Sequence, residues 1–166
     1  MAEGLLQARL GESWDVRSAG THAYGGDAPS GPGCEATQRE YGIEIGAQRS
    51  TALTVPELEA ADHIFTMSVQ QAKLAAALGG VGDRVRLFGS FAPASAPSQH
   101  SADPGGGDAS AFEVPDPMGG AYEDYRICLE RLHRCADKCA PWLENGAEEA
   151  NGPPSTTNSR WRFQAG

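Results

Sequence analysis

Long apolar runs are missing from this chain. No stretch approaches the roughly 18 apolar residues that a membrane-spanning helix needs. Residues 1–16 hold no basic start followed by a long apolar run, so no secretory signal is visible. Cysteine is scarce, with four in 166 residues: Cys34, Cys128, Cys135 and Cys139. That is few for a disulfide scaffold, and no spacing reads as a zinc knuckle. Positive charge is short as well. Thirteen Lys and Arg face 22 Asp and Glu, a net charge of -9. Such a surface repels nucleic acid and anionic lipid, so neither nucleic acid nor membrane is expected as a partner. Together these absences point to a soluble protein of a reducing, cytoplasmic compartment. They leave a phosphorylated substrate open, because backbone N–H groups and a single arginine can bind phosphate inside an acidic protein.

What is present reads as one domain with loose segments. Leu5, Leu6 and Leu10 fall on one face of a helix over residues 1–10. Residues 14–18 read as a short strand. A Gly/Pro-rich loop leads to a helix over 34–41, which Gly42 ends. Pro56 suits the first turn of a short helix beginning at Val55. His63–Met67 is a strand candidate, Ser68 caps an alanine-rich helix to Leu78, and Val85–Phe88 is another strand. Strands alternating with helices predict an α/β fold, a parallel sheet flanked by helices. Residues 92–111, rich in Ala, Ser, Pro and Gly, predict a low-complexity loop insertion. Tyr122, Tyr125, Leu129, Leu132, Ala136, Cys139 and Leu143 recur at helical spacing and predict the longest helix, over 121–143. The domain is therefore read as residues 1–144, with 145–166 a disordered tail.

Few residues offer chemistry. Asp116 stands between Pro115 and Pro117 and ahead of Gly119-Gly120. A carboxylate held this stiffly on a loop can serve as a general acid and then as a base. A plain turn aspartate fits the same residues, since Asp-Pro is common in turns. Cys128, Cys135 and Cys139 share the face of the long helix that carries Leu132, where cysteine behaves as a small hydrophobe. Cys128 and Arg134 have the spacing of a cysteine phosphatase signature. The five residues between them contain no glycine and lie within a helix, which cannot curl into a ring of N–H donors. Cys34 and Arg39 are one residue short of that spacing. His22, His63, His100 and His133 are scattered, which favours surface or packing roles over a metal cluster. Gly79–Gly82 lacks the lysine and Ser/Thr of a nucleotide loop.

Read in order, several segments resemble the low-molecular-weight protein tyrosine phosphatase family. They are Met1-Ala2-Glu3 opening the first helix, Asp15–Thr21, Gln48–Thr54, Ala61–Met67, Leu87–Phe91, and Asp116-Pro117-Met118-Gly119-Gly120 ahead of the closing helix. The Met-Gly-Gly form is similar to a bacterial-type branch that also includes protein arginine phosphatases. The resemblance implies a four-stranded parallel sheet flanked by helices, here lacking the first, central strand. It implies hydrolysis of phosphate monoesters on a phosphorylated protein, through a phosphocysteine and with no cofactor. It makes Asp116 the general acid/base, Met118 a substrate-facing residue, and Ser18 and Ser50 supports of the phosphate loop. In the family the nucleophilic cysteine and the phosphate-binding arginine lie ahead of the position matched by Met1. No residue here replaces them, so the chain as written is expected to be inactive. One reading is a chain that begins at an internal methionine of a longer phosphatase. The other is a pseudophosphatase that binds a partner without turnover. A thiol-linked arsenate reductase of the same architecture is disfavoured, because no cysteine occurs between Cys34 and Cys128.

Overall fold

A computed structural model describes residues 1–79, 81–92 and 109–146. Its elements are α1 (Ala2–Leu10), α2 (Gly31–Tyr41), α3 (Val55–Ala60), β1 (Ile64–Thr66), α4 (Val69–Leu78), β2 (Val85–Leu87) and α5 (Tyr122–Glu144). Short 3-10 turns occupy Gly11–Ser13, Gly82–Arg84, Phe88–Phe91 and Ala109–Phe112.

Strands β1 and β2 pair in parallel, with Ile64 opposite Val85, Phe65 opposite Arg86 and Thr66 opposite Leu87. A parallel pair needs a crossover, and α4 provides it. All three residues of β2 are buried, Arg86 included. The guanidinium is tolerated there because it donates to the Asp83 carbonyl and lies 4.9 Å over the Trp142 ring. Phe65, Phe88 and Phe91 complete an aromatic wall against Trp142.

Helix α5 is the organising element. Its buried side chains include Tyr125, Leu129, Leu132, Cys135, Ala136, Cys139 and Leu143, the 3.6-residue repeat expected of a core-facing stripe. Together with Leu5, Leu6 and Leu10 of α1, Ala36 of α2 and Phe88, they form the main core. A smaller cluster of Leu58, Ala72, Ala75, Val81 and Val85 lies under α3 and α4.

Local chemistry sets the helix ends. The Ser68 hydroxyl accepts from the Gln71 N–H at 3.2 Å, so α4 begins where the cap was expected. In α3 the Glu57 carboxylate accepts from the Thr54 N–H at 3.0 Å, one half of a capping box. Helix α2 starts at Gly31 rather than Cys34. Ser30 caps it, and Pro32 fits the first turn, where no N–H is required. At its far end Gly42 adopts φ 68°, a left-handed conformation that glycine accepts without strain.

The sheet differs from expectation in one respect. Only β1 and β2 form a ladder among the described residues, and Gly20 and Ala52 add an isolated parallel bridge. Residues 14–18 are not a ladder strand. Trp14 has extended dihedrals, but the Val16 N–H donates to the Gln7 side chain at 3.0 Å. A strand is defined by its neighbour, and residues 14–18 enter no ladder among the described residues. Trp14 and Val16 still pack against the main core. Most of the expected insertion over 92–111 and of the expected tail lies outside the described residues. The last residues of the insertion, from Ala109, belong to a 3-10 turn.

Candidate active site

Asp116 owes its position to three bonds made by the residues just before it. The Arg131 guanidinium donates to the Ala111 carbonyl at 2.6 Å. The Glu113 carboxylate accepts from the Val69 N–H at 2.9 Å, at the first turn of α4. The Val114 N–H donates to the Met67 carbonyl at 2.8 Å, one residue past β1. The chain is thereby fastened to the C-terminal end of the parallel strands, the edge at which open α/β sheets place their ligands. The 3-10 turn is also tightly seated. A Cβ on Gly89 would stand 2.1 Å from the Phe112 carbonyl oxygen, so only glycine fits there.

From Pro115 the chain turns sharply toward α5. The Asp116 carboxylate accepts from the Met118 N–H at 2.9 Å, and the Gly120 N–H donates to the Pro117 carbonyl at 2.9 Å. Gly119, with φ 81°, makes the bend possible. Asp124 then accepts from the Ala121 N–H at 2.8 Å and starts the helix. The aspartate side chain stays exposed, on a backbone that is doubly hydrogen-bonded and restricted by two prolines.

Two adjoining hollows, of about 480 and 620 Å³, meet at this loop. Both are lined by Pro115, Asp116, Pro117, Cys128 and Arg131. One continues past Met118 and Ile127 to Arg134. The other reaches Met1 and Ala2 at the start of α1, and Met67, Ser68 and Gln71 at the start of α4. Asp116 therefore stands where the open end of the sheet meets the first turn of α1.

Of the residues expected at a site, Asp116 and Met118 come together in this cleft, Met118 with 78% of its surface exposed. Ser18 and Ser50 line neither hollow. The Ser18 hydroxyl donates to Glu3 in the first turn of α1 at 2.5 Å. The Ser50 hydroxyl accepts from the Asp27 N–H at 3.0 Å and ties down the Gly/Pro-rich loop. His63 and His133 have packing roles, the first edge-on to Trp142 and the second stacked on Tyr41.

Arg131 and Cys128 are among the cleft residues that escaped the sequence reading. Arg131 was one charge among many on a long helix. Cys128 reads from sequence as a core residue, its signature-like spacing to Arg134 set aside because it lies within a helix. It is one, yet its position also borders the cleft beside Asp116. Burial pushes the Cys128 thiol up to about 11, and the nearby Asp116 carboxylate adds to the rise. Cys128 is thus a protonated thiol at neutral pH and lies within a helix, which suits neither nucleophilic attack nor phosphate wrapping. Burial raises Cys135 too, and Cys139 to about 12. The Met1 ammonium is held below its ordinary value, also by burial.

These thiols predict an alkaline loss of stability. Below their unfolded value of roughly 8.5 they are protonated in both states, and their contribution is complete. Above it the unfolded chain releases protons that the folded chain retains, so stability falls as pH rises toward 11. The urea midpoint should drop between pH 8 and pH 11, and a Cys128→Ala/Cys139→Ala double variant should show a flatter decline. Equal slopes for the two proteins would mean that the thiols are not shielded as described.

A sequence profile described as "Low molecular weight phosphotyrosine protein phosphatase" matches residues 1–149. The chain belongs to this family. An arsenate reductase from Halalkalibacterium halodurans is 34% identical over 85 residues, which are 51% of this chain and 58% of that protein. The chain thus spans just over half the length of this curated relative. A low-molecular-weight protein tyrosine phosphatase from T. tengcongensis superposes with a TM-score of 0.68 at 26% identity, covering 87% of this chain and 88% of the other. The YwlE arginine phosphatase from Geobacillus stearothermophilus shares the fold, with a TM-score of 0.69 at 22% identity over 91% and 88% of the two chains.

Proposed function

We propose that this chain carries the acid/base half of a protein tyrosine phosphatase site, with Asp116 as general acid and base and Met118 against the substrate. The observation behind this is the placement of Asp116. It is fastened at the C-terminal end of β1, and its cleft opens onto the first turn of α1. In the proposed reaction a thiolate sulfur attacks phosphorus. The S–P bond forms as the P–O bond to the leaving group breaks, and the Asp116 carboxyl gives its proton to the departing oxygen. The resulting carboxylate then takes a proton from water. The water oxygen attacks phosphorus, the S–P bond breaks, and the thiolate returns with inorganic phosphate as product.

None of the four cysteines of this chain is suited to be that thiolate. Cys128, Cys135 and Cys139 are buried in α5 with raised values, and Cys34 lies in α2. The reading therefore calls for a cysteine loop and an arginine brought to the cleft in front of Met1. The substrate class is a phosphorylated protein in the cytoplasm, with phosphotyrosine as the first choice and phosphoarginine as the second.

The test joins a cysteine phosphate-binding loop, with its preceding strand, to Met1. That protein should hydrolyse p-nitrophenyl phosphate, and rapid quenching should trap a phosphocysteine. A folded, loop-bearing protein that neither turns over nor binds phosphate would sink the catalytic reading. The raised thiols favour a second reading for the 166 residues acting alone, a noncatalytic binding module. Turnover of an aryl phosphate by the chain without the added loop would rule that out.

A further inference from the structure

The hollow beside Asp116 does not end at the aspartate. It continues along α5 over Ile127, Arg131 and Arg134. These positions are i, i+4 and i+7, so they lie along one face of the helix. Ile127 is 56% exposed, and Met118 stands across the same hollow with 78% exposed. Two large apolar side chains thus form a shelf next to the catalytic carboxylate.

Charge changes along the groove. Ion pairs among the described residues include Arg9–Asp137, Arg17–Asp15, Arg39–Glu35, Arg126 with Glu123 and Glu130, and His133–Asp137. Neither Arg131 nor Arg134 takes part in one. Arg131 spends one nitrogen on the Ala111 carbonyl, and its buried Nε has no partner among the described residues. Three carboxylates also line this hollow, Asp116, Asp124 and Glu130. Asp124 accepts from the Ala121 N–H, and Glu130 faces Arg126 at 3.9 Å. Two guanidiniums that form no ion pair among the described residues are thus gathered toward the Arg134 end of the hollow, while Asp116 and Asp124 stand at its Met118 end.

We infer that this groove is a specificity subsite for the substrate segment next to the phosphorylated residue, one that carries an apolar side chain followed by acidic ones. The inference rests on the proposed phosphatase reading, since it assigns the groove to the same substrate. The helix advances about 1.5 Å per residue, so Ile127 and Arg134 are roughly 10 Å apart along it. An extended peptide covers that distance in about three residues. The apolar side chain meets Met118 and Ile127, and a glutamate or aspartate about three residues further on meets Arg131 and Arg134. Bidentate guanidinium–carboxylate contacts supply the selectivity.

The test needs no turnover and uses the full chain. A fluorescein-labelled, unphosphorylated nine-residue peptide with tyrosine, leucine and two downstream glutamates is titrated by anisotropy, alongside the same peptide with lysines. The glutamate peptide should bind roughly fivefold to tenfold tighter at low salt, and the gap should shrink as salt screens it. Arg134→Glu should abolish or invert the preference, Arg134→Gln should reduce it, and Ile127→Asp should weaken binding of the glutamate peptide. Arg17→Glu makes the same change in net charge outside the groove and should leave the preference intact. Circular dichroism confirms that each variant is folded. Equal affinity for the two peptides, binding of neither, or a preference that survives Arg134→Glu overturns the subsite. This result is separate from hydrolysis of p-nitrophenyl phosphate by the loop-bearing protein, which is too small to reach Arg134 and reports only on the catalytic reading.

Discussion

In the loop-bearing protein, Asp116→Asn lowers kcat by about 10²- to 10⁴-fold and leaves KM nearly unchanged. That is the usual range for loss of a positioned proton donor. The asparagine keeps the shape of the side chain and the oxygen that accepts from the Met118 N–H, so the loop stays folded. What it loses is the transferable proton. The defect should therefore depend on the leaving group. An alkyl or unsubstituted phenyl phosphate, whose oxygen needs protonation as it departs, should suffer most. p-Nitrophenyl phosphate, whose phenolate leaves unaided, should suffer least. Asp116→Ala removes the turn bond as well and should be worse by a structural increment. A uniform loss of kcat/KM, which reports the step in which the leaving group departs, would make Asp116 a positioning residue rather than an acid; loss of the base in the second step falls on kcat for every leaving group alike.

Leu129→Ala carries the largest expected loss of stability. Leu129 is fully buried in the middle of α5 and belongs to the main core with α1, α2 and Phe88. Truncation removes transfer free energy and leaves a cavity that its neighbours fill only in part, at a cost of about 2–5 kcal/mol. Against a total of roughly 5–15 kcal/mol, that is a large share. By contrast, Arg126→Ala breaks an exposed, solvent-screened pair with Glu123 and should leave stability almost unchanged. Urea midpoints of the two variants should differ accordingly. A Leu129→Ala midpoint within error of the parent would show that α5 does not bury this face.

The parts of this fold that sequence makes readable are those written in local spacing. The stripe from Tyr125 to Leu143 announces α5 because period 3.6 appears nowhere else at that length. Ser68 and Gly42 mark ends because each satisfies a backbone need within a few residues. Asp116 was singled out for its two flanking prolines, which act on the adjacent backbone alone. The contacts that finish the cleft are of another kind. Arg131 is held by a carbonyl 20 residues earlier, and Glu113 reaches an amide 44 residues away. No periodicity encodes such meetings. Residues 14–18 show the converse error. Their composition suits a strand, but ladder membership belongs to a pair of segments, and composition describes only one.

The fastening of Ala111, Glu113 and Val114 has a consequence for what sets Asp116 in place. Upstream, the Ala92 N–H is bonded to the Gly89 carbonyl, and Ala92 packs on the main core. Downstream, three independent bonds hold the approach to the Asp116 loop. The two ends of the intervening stretch are thus set by independent contacts. The aspartate takes its place from contacts made outside residues 93–108. The setting of Asp116 is thereby anchored to the core itself, by groups drawn from α4, α5 and the end of β1.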